Sequence, residues 1–429
     1  MTSTRKEQNW IHEQIDFLLE NLGSVEPGDF LCDFSLLLYG LNEGDVDSTL
    51  LLSANKQEWQ AEMAKLCSKN HWLCGQSSTF GRALAIMGEK RVSYLSGFLK
   101  NLISDKTNLY ENSSEVFCYL LQTMFSQQYI KDFITPSTLC SLMARMIAPK
   151  KGEVILDPVC GSGRLLVAAA KRNNDCVLAG IDVNARMIVT AFFNMYFNGK
   201  VSARLYQMNF LKDLNKCGRC DAVLANPPYG DDIHMTIDYV DRIMEMLKTG
   251  GRCGILVPEG FLTSTVRDVI ETRIRLLETY TLEGIVALPR KIYKPYTESN
   301  SSLIMLRKQS AAPDYTVFLS RLPEWDGGNN GFSDRVYKQD MDRIAAAWQY
   351  YKEKKDDLWR LYGDDIAWSV SSEEIRRNDY IFAADSYIKS EFLLPETRLE
   401  ELRDKVMDGY DKLERAVGNY FDEDFETWL

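Results

Sequence analysis

Two patterns of hydrophobic residues divide this chain near residue 128. Before that point apolar residues such as Ile11, Ile15 and Leu18 recur every three or four positions, which is typical of amphipathic helices. After it, short apolar runs alternate with helical patterns of roughly 10 to 15 residues, which indicates parallel strands joined by helices. We therefore predict a helical domain at 1–128, a sheet domain at 129–310 and an extension at 311–429 that ends in an amphipathic helix.

The sheet domain is predicted from seven apolar runs. The last two follow each other without an intervening helix, which indicates an antiparallel strand at the sheet edge. The fold class predicted is α/β, a doubly wound, mostly parallel, seven-stranded Rossmann-like sheet, with strands at 154–157, 176–181, 203–209, 222–225, 254–258, 284–288 and 302–307.

The fourth predicted strand stops at a polar corner, Asn226-Pro227-Pro228-Tyr229. Prolines cannot continue a strand ladder, so the chain turns there, at a strand end where open parallel sheets bind ligands. The Asn226 side chain and the Pro227 carbonyl group offer two acceptors that can hold an amino group. Tyr229 offers a flat face for a heterocycle. The corner predicts a substrate with an exocyclic amine on a planar base, the alternative being a simple strand-to-turn junction.

A second motif lies upstream, where the first strand ends at Asp157 and the residues Cys160, Gly161 and Gly163 lead into an Ala/Leu-rich helix. Glycines let the backbone approach a ligand closely, while the spacing and the lack of a following lysine argue against a P-loop. Asp182, at the end of the next strand, is placed to accept hydrogen bonds from ribose hydroxyls. The motif predicts a nucleoside-containing cofactor, and the two carboxylates favour a cationic one.

Composition narrows the possible partners. The formal net charge of −11 is unlike the basic surface of a stand-alone DNA-binding protein, so another subunit or a local patch must contact phosphates if the substrate is a nucleic acid. No apolar run approaches the ~20 residues of a membrane span, and the polar amino terminus lacks a signal-peptide core, so we expect a cytoplasmic protein. Cys67, His71 and Cys74 could be three metal ligands, but packed thiols beside a surface histidine are the commoner arrangement, and no metal site is predicted.

Together, the motif that begins at Asp157 and the Asn226 corner resemble the adenine-N6 DNA methyltransferases, which use S-adenosylmethionine. Their order resembles the modification subunits of type I restriction-modification systems, over residues 112–308 and again near 368–380. The resemblance implies methyl transfer to the N6 amine of an adenine rotated out of double-stranded DNA. It also implies a separate specificity subunit, since no segment of about 150 residues remains for target recognition, together with a second copy of the chain and a restriction subunit.

Site residues follow from the resemblance position by position. Asn209 stands where many relatives have an acidic residue near the adenine of the cofactor, and its side-chain oxygen can still accept that hydrogen bond. The other matches are the methionine contacts Phe133, Thr135 and Pro136, the cofactor loop Asp157, Cys160, Gly161 and Gly163, the ribose carboxylate Asp182, and the catalytic corner Asn226, Pro227, Pro228 and Tyr229.

Three alternatives stay open at this point. The same corner can hold a protein glutamine amide or an RNA base, and the chain can be an assembly subunit with weak catalysis. The loop at 290–300 interleaves cations and aromatics, and it either contacts the flipped base and nearby phosphates or is a solvated loop. The apolar seam at 399–420 packs either on the helical domain of this chain or on the helices of a partner.

Overall fold

The computed structural model describes residues 2–76, 80–104, 108–126, 134–213, 218–228, 232–293, 300–323, 337–354, 366–388 and 407–409. Residues 1–384 form one compact unit and residues 385–429 a second one. Of the predicted helix at 399–420, only residues 407–409 are described, as helical backbone, and the rest lies outside the described residues. None of the helices in the described ranges has both the length and the apolar character needed to cross a bilayer.

All regular secondary structure among the described residues up to Ser126 is helical. Their boundaries follow local capping: Glu26 precedes the second helix and accepts the Asp29 N–H at 2.8 Å, and Gly44 ends that helix in the left-handed conformation with φ 72°. The helices are α1 Thr2–Glu20, α2 Pro27–Glu43, α3 Ser48–Leu52, α4 Lys56–Lys69, α5 His71–Gln76, α6 Arg82–Ile86, α7 Glu89–Ser104 and α8 Leu109–Ser126.

A sheet flanked by further helices follows. Among the described residues it has nine strands, in the order β3-β2-β1-β4-β5-β7-β6-β8-β9. The strands are β1 Val154–Asp157, β2 Val177–Asp182, β3 Ala203–Gln207, β4 Cys220–Ala225, β5 Leu247–Pro258, β6 Thr281–Ala287, β7 Ser301–Arg307, β8 Thr316–Arg321 and β9 Ala367–Ser371. The helices are α9 Ser137–Ile147, α10 Arg164–Arg172, α11 Ala185–Phe197, α12 Ile233–Met246, α13 Glu259–Thr263, α14 Arg267–Glu278 and α15 Lys338–Lys354, with a short helix at Ser372–Arg377.

The α/β class is confirmed, but the predicted count of seven strands is wrong. Beyond β6 the sheet continues through β8, which pairs parallel with β6, and β9, which pairs antiparallel with β8. The segments that pair with β8 lie about 30 and 50 positions away from it along the chain, so no local pattern indicates this pairing. Strand β8 therefore extends the sheet into the region predicted as the carboxyl-terminal extension.

Strand β7 is antiparallel, as predicted, but it does not lie at an edge. It hydrogen-bonds to β5 on one side and to β6 on the other, so it is inserted between them. Six of its seven residues, from Ser301 to Leu306, are buried. A continuous buried run of this kind is typical of a strand covered on both faces, which requires a position inside the sheet.

Helix α11 belongs to two hydrophobic cores. Its side chains contribute to two clusters. One is the helical core formed by α1 to α8, and the other is the sheet core, which lies between the sheet and helices α9, α10 and α15. Its contribution to the helical core is Met187, Val189, Phe193, Tyr196 and Phe197, and its contribution to the sheet core is Ile188, Ala191 and Met195. The helical part is therefore packed continuously onto the sheet. The predicted boundaries at 128 and 310 stay predictions.

This shared helix predicts cooperative unfolding of the two parts. Phe193→Ala removes a side chain that is 1% exposed and should lower the free energy of unfolding by about 3 to 5 kcal/mol. Denaturant unfolding followed by circular dichroism should show both parts shifting in one transition. Two transitions of which only one moves would contradict this prediction.

Candidate active site

The site lies at one edge of the sheet, where β1, β2 and β4 end. These strands are parallel and adjacent, with β1 between β2 and β4, so their carboxyl ends meet at the same edge. Asp157 is the last residue of β1, Asp182 is the last residue of β2, and Asn226 directly follows β4. Three side chains predicted from separate stretches of sequence are thus brought to one edge.

Asp182 holds the glycine-rich turn in place. Its Oδ2 accepts the Gly161 N–H at 2.9 Å and its Oδ1 accepts the Asn184 N–H at 2.8 Å. The Cys160 N–H also donates to the Ile181 carbonyl oxygen at 2.8 Å. The carboxylate predicted to face ribose is therefore a structural part of the turn as well.

The two glycines of the turn have different functions. Both have positive φ, 48° at Gly161 and 75° at Gly163. A Cβ at Gly163 would lie 3.1 Å from the Cβ of Ala191, so this glycine permits close packing against α11. A Cβ at Gly161 would meet none of the described atoms within 4 Å, so this residue faces open space. Gly161 is the position at which a ligand can approach the backbone.

Asp157 is an acid buried next to this turn. The residue is 1% exposed, and its Oδ1 accepts the Val159 N–H at 3.2 Å. Burial, with the negative charge of Asp182 adding to it, raises the pKa of Asp157 to about 8. A ligand cation beside this carboxyl group would favour its ionised form. Burial also raises the pKa of the Cys160 thiol, which makes this cysteine a packing residue rather than a nucleophile.

The corner after β4 is connected to the turn through Thr135. Asn226 is half-buried, and its Nδ2 donates to the Thr135 Oγ1 at 3.0 Å. The Thr135 carbonyl oxygen accepts from the Arg164 Nη1 at 3.3 Å, and Arg164 directly follows Gly163. Thr135 was predicted to lie beside the methionine part of a cofactor; in the structure it contacts the predicted catalytic asparagine. Pro136 continues into α9, where its carbonyl oxygen accepts the Cys140 N–H at 2.9 Å.

Arg164 was not among the predicted site residues. It is the first residue of α10, where the helix dipole disfavours a cation. A positive charge at that position was a signal in the sequence that the side chain has another partner.

Asn209 lies in the turn after β3, which ends at Gln207 rather than at residue 209. Its Oδ1 accepts the Leu211 N–H at 3.0 Å, and its own N–H donates to Asp213 at 3.1 Å. The preceding Met208 N–H donates to the Asp182 carbonyl oxygen at 3.0 Å, which connects this turn to the end of β2. A carboxamide oxygen has two lone pairs, so the predicted contact of Asn209 is compatible with its observed bond.

Some predicted residues fall outside the described ranges. Phe133 and Tyr229 are among them, as are residues 294–299 of the predicted contact loop. At the start of that loop, Arg290 is exposed, whereas the Tyr293 ring is buried in the sheet core. Pro227 is buried and Pro228 is exposed.

Comparison with known proteins identifies the family. The chain matches the N-6 DNA Methylase family over residues 110–238 and 234–393, which is more than half of its length. It belongs to this family. The mixed sheet with its flanking helices is accordingly a methyltransferase fold.

Several curated proteins are similar to this chain, among them three at 25% to 27% identity. The type I restriction enzyme EcoEI methylase subunit of Escherichia coli is 25% identical over 294 residues, which are 61% of this chain and 59% of the relative. The type I restriction enzyme MjaVIII methylase subunit of Methanocaldococcus jannaschii is 27% identical over 292 residues, 59% of this chain and 49% of the relative. The chain thus spans about half to three fifths of these relatives. A ribosomal RNA small subunit methyltransferase C of Shewanella loihica is 27% identical over 42% of this chain.

Solved structures show the same fold along most of the chain. A structure described as the basis of complex assembly and conformational transition of the type I R-M system has a TM-score of 0.67 at 20% identity, covering 96% of this chain and 98% of the other. A type I restriction-modification methyltransferase subunit from Streptococcus thermophilus has a TM-score of 0.63 at 18% identity, covering 90% and 99%. The likeness at these identities concerns the fold.

The buried acid predicts a pH-dependent stability. In the folded chain Asp157 keeps its proton up to about pH 8, whereas the ordinary pKa is 3.8, so folded stability should fall as pH rises between these values. The slope is at most about 1.4 kcal/mol per pH unit. The Asp157→Asn variant has no carboxyl group to ionise at this position, so its stability should not fall in this way. The free energy of unfolding of the variant minus that of the wild type should therefore increase from about pH 5 to about pH 8. Urea unfolding across this range measures it, with Asp175→Asn on an exposed turn as control. A constant difference would contradict the prediction.

Proposed function

We propose that this chain transfers a methyl group from S-adenosylmethionine to the N6 amine of a flipped-out adenine in DNA, as the modification subunit of a restriction-modification system. The observation that carries the proposal is the series of contacts from the glycine turn through Arg164 and Thr135 to Asn226. It connects the predicted cofactor turn to the predicted amine-binding corner. Membership of the N-6 DNA Methylase family and the names of the relatives support the same reaction.

The residues of the turn fit the cofactor. When bound, S-adenosylmethionine supplies a methyl group on a sulfonium that is already activated toward a nitrogen nucleophile. Gly161 offers an approach without a side chain, and Asp182 can accept from ribose hydroxyls while it holds the turn. Asp157 places a carboxyl group beside the turn, and a bound cation there would favour its ionised form. We assign the remaining contacts to Gly163 and Cys160 in the turn, to Phe133, Thr135 and Pro136 for the methionine part, and to Asn209 for the adenine.

The corner residues hold and orient the amine. Because Thr135 accepts from Nδ2 of Asn226, the direction of the carboxamide is set and its Oδ1 points away from Thr135. We assign Oδ1 and the Pro227 carbonyl oxygen as the two acceptors for the amine hydrogens. Pro227 and Pro228 have no N–H that could compete for these oxygens. Stacking on Tyr229 would add about 1 to 3 kcal/mol per base, so positioning supplies most of the rate.

Removing the amide should separate binding from chemistry. We expect Asn226→Ala to bind S-adenosylmethionine within about threefold of wild-type affinity and to lose methyl transfer by at least about 100-fold, the usual effect of one preorganised polar contact. Calorimetry and transfer of labelled methyl groups to DNA measure the two effects. The matched control is Asn42→Ala. The Asn42 side chain donates to the Leu38 carbonyl oxygen within α2, away from the site. Methylation by the Asn226 variant at a near-normal rate would refute the assignment.

The Thr135 hydroxyl should matter through Asn226. Thr135→Val keeps the side-chain shape but leaves Nδ2 without this acceptor, so the carboxamide loses its fixed direction. We expect kcat to fall about tenfold in Thr135→Val, and Thr135→Ser, which keeps the hydroxyl, to retain most of the wild-type kcat. An equal loss in the Ser and Val variants would show that the hydroxyl is not the group responsible.

We also propose that target recognition comes from a separate specificity subunit, in a complex that contains a second copy of this chain and a restriction subunit. The net charge of −11 supports this, because phosphate contacts then have to come largely from a partner. The relatives are named as subunits, and one structure with the same fold concerns complex assembly. Site-specific methylation by the chain without any partner would overturn this part of the proposal.

A second candidate is methylation of an RNA base. It is favoured by the likeness to a ribosomal RNA methyltransferase, and the proposed grip on a planar amine would suit guanine as well as adenine. Sequencing of methylated adenines in DNA, alongside base analysis of cellular RNA, with and without this chain distinguishes the two candidates.

A further inference from the structure

The helical part contacts the segment that follows the cofactor carboxylate. Arg186, in the first turn of α11, reaches across to the start of α2. Its Nη1 lies 3.2 Å from the Glu26 Oε1 and its Nη2 lies 3.2 Å from the Asp29 Oδ1. Asp29 is 7% exposed, and a buried carboxylate of this kind requires a paired cation. The guanidinium group therefore joins two carboxylates of the helical part to the sheet domain.

From Arg186 a short series of hydrogen bonds leads to the predicted ribose site. The Arg186 N–H donates to the Asn184 Oδ1 at 3.0 Å, and the Asn184 N–H donates to the Asp182 Oδ1 at 2.8 Å. The other oxygen of Asp182 accepts the Gly161 N–H. The contacts between α2 and the Asp182 carboxylate thus run through two residues, Arg186 and Asn184.

Gly28 leaves room for this arrangement. It is buried in the first turn of α2, and a Cβ at this position would lie 2.7 Å from Nη1 and 2.9 Å from Cδ of Arg186. Both are side-chain atoms, so an alanine there would displace the guanidinium group and leave the backbone intact. Alanine is otherwise the better residue inside a helix. A substitution of Gly28 therefore displaces the Arg186 side chain while Arg186 itself stays in the sequence.

We propose that Arg186, held by Glu26 and Asp29, is a positioning residue for Asp182, and that the helical part of the chain thereby contributes to ribose recognition. Arg186 does not itself touch the cofactor; it holds the turn in which Asp182 presents its oxygens. The proposal rests on the proposed function, since it assigns the ribose hydroxyls to Asp182. A guanidinium group fits the site because its planar fork can pair with two carboxylates at once, which an ammonium group cannot do with the same geometry.

The test compares two ligands on the full-length chain. Calorimetry gives the dissociation constants of S-adenosylhomocysteine and of its 2′,3′-dideoxy analogue, and their ratio reports the ribose contact. We expect the wild type to prefer the hydroxylated ligand by about tenfold or more, as for hydrogen bonds to a charged group. Gly28→Ala and Arg186→Ala should each reduce this ratio about fivefold. The ratio for Arg186→Lys should lie between the ratio of these variants and that of the wild type. The double variant Gly28→Ala/Arg186→Ala should show no larger reduction of the ratio than Arg186→Ala alone.

A matched control keeps the result specific. Arg275 pairs with Asp241 between α14 and α12 and has no contact with the turn among the described residues, so Arg275→Ala should leave the ratio unchanged. Gly28→Ala leaves Asp29 without its paired cation and should lower the thermal midpoint, so binding is measured well below that midpoint. Under these conditions the ratio of the two dissociation constants separates misplacement of Arg186 from general unfolding.

The outcomes separate the two proposals. If the wild type binds neither ligand, or binds both equally, the proposed use of Asp182 for ribose fails and the positioning proposal fails with it. If the wild type prefers the hydroxylated ligand and both Gly28→Ala and Arg186→Ala keep that preference, the proposed function stands and Arg186 is not a positioning residue. Equal losses for the two ligands in these variants would likewise show a purely structural bridge.

Discussion

The hydrogen bond from Asn226 to Thr135 is the contact on which the candidate site depends. A carboxamide can present either its oxygen or its nitrogen, and the Thr135 hydroxyl decides between them by accepting from Nδ2. The carbonyl oxygen of the same threonine accepts from Arg164 at the start of α10. One residue therefore connects the predicted amine-binding corner to the glycine turn.

Polar groups at this edge are placed at a cost to stability. Asp157 is almost fully buried beside Asp182, and its raised pKa shows that the fold disfavours its charge. Such placement is common where a protein prepares a site for a ligand of opposite charge. Asp182 offsets part of the cost, because both of its oxygens accept backbone N–H groups of the turn and of the following helix.

The helical part is more than an addition to the sheet. Helix α11 fills the helical core with one set of side chains and the sheet core with another, and it begins three residues after Asp182, with Asn184 as its N-cap. Packing of α2 against this helix, with Arg186 between Glu26 and Asp29, connects part of the helical region through Arg186 and Asn184 to the predicted cofactor carboxylate. Changes in the helical region thus have a short physical route to the site.

The sequence by itself determined the class of fold, most strand positions and the location of the two motifs at strand ends, because strand periodicity, proline and glycine act over a few residues. Asp157, Asp182 and Asn226 could be placed at one edge from the rule that parallel strands end together. Only the tertiary structure decided that β7 lies inside the sheet, that Thr135 contacts Asn226 at a separation of 91 positions, and that Arg186 pairs with Asp29 at a separation of 157. These contacts depend on how whole elements pack, and no local pattern of residues encodes which distant side chain will complete a hydrogen bond.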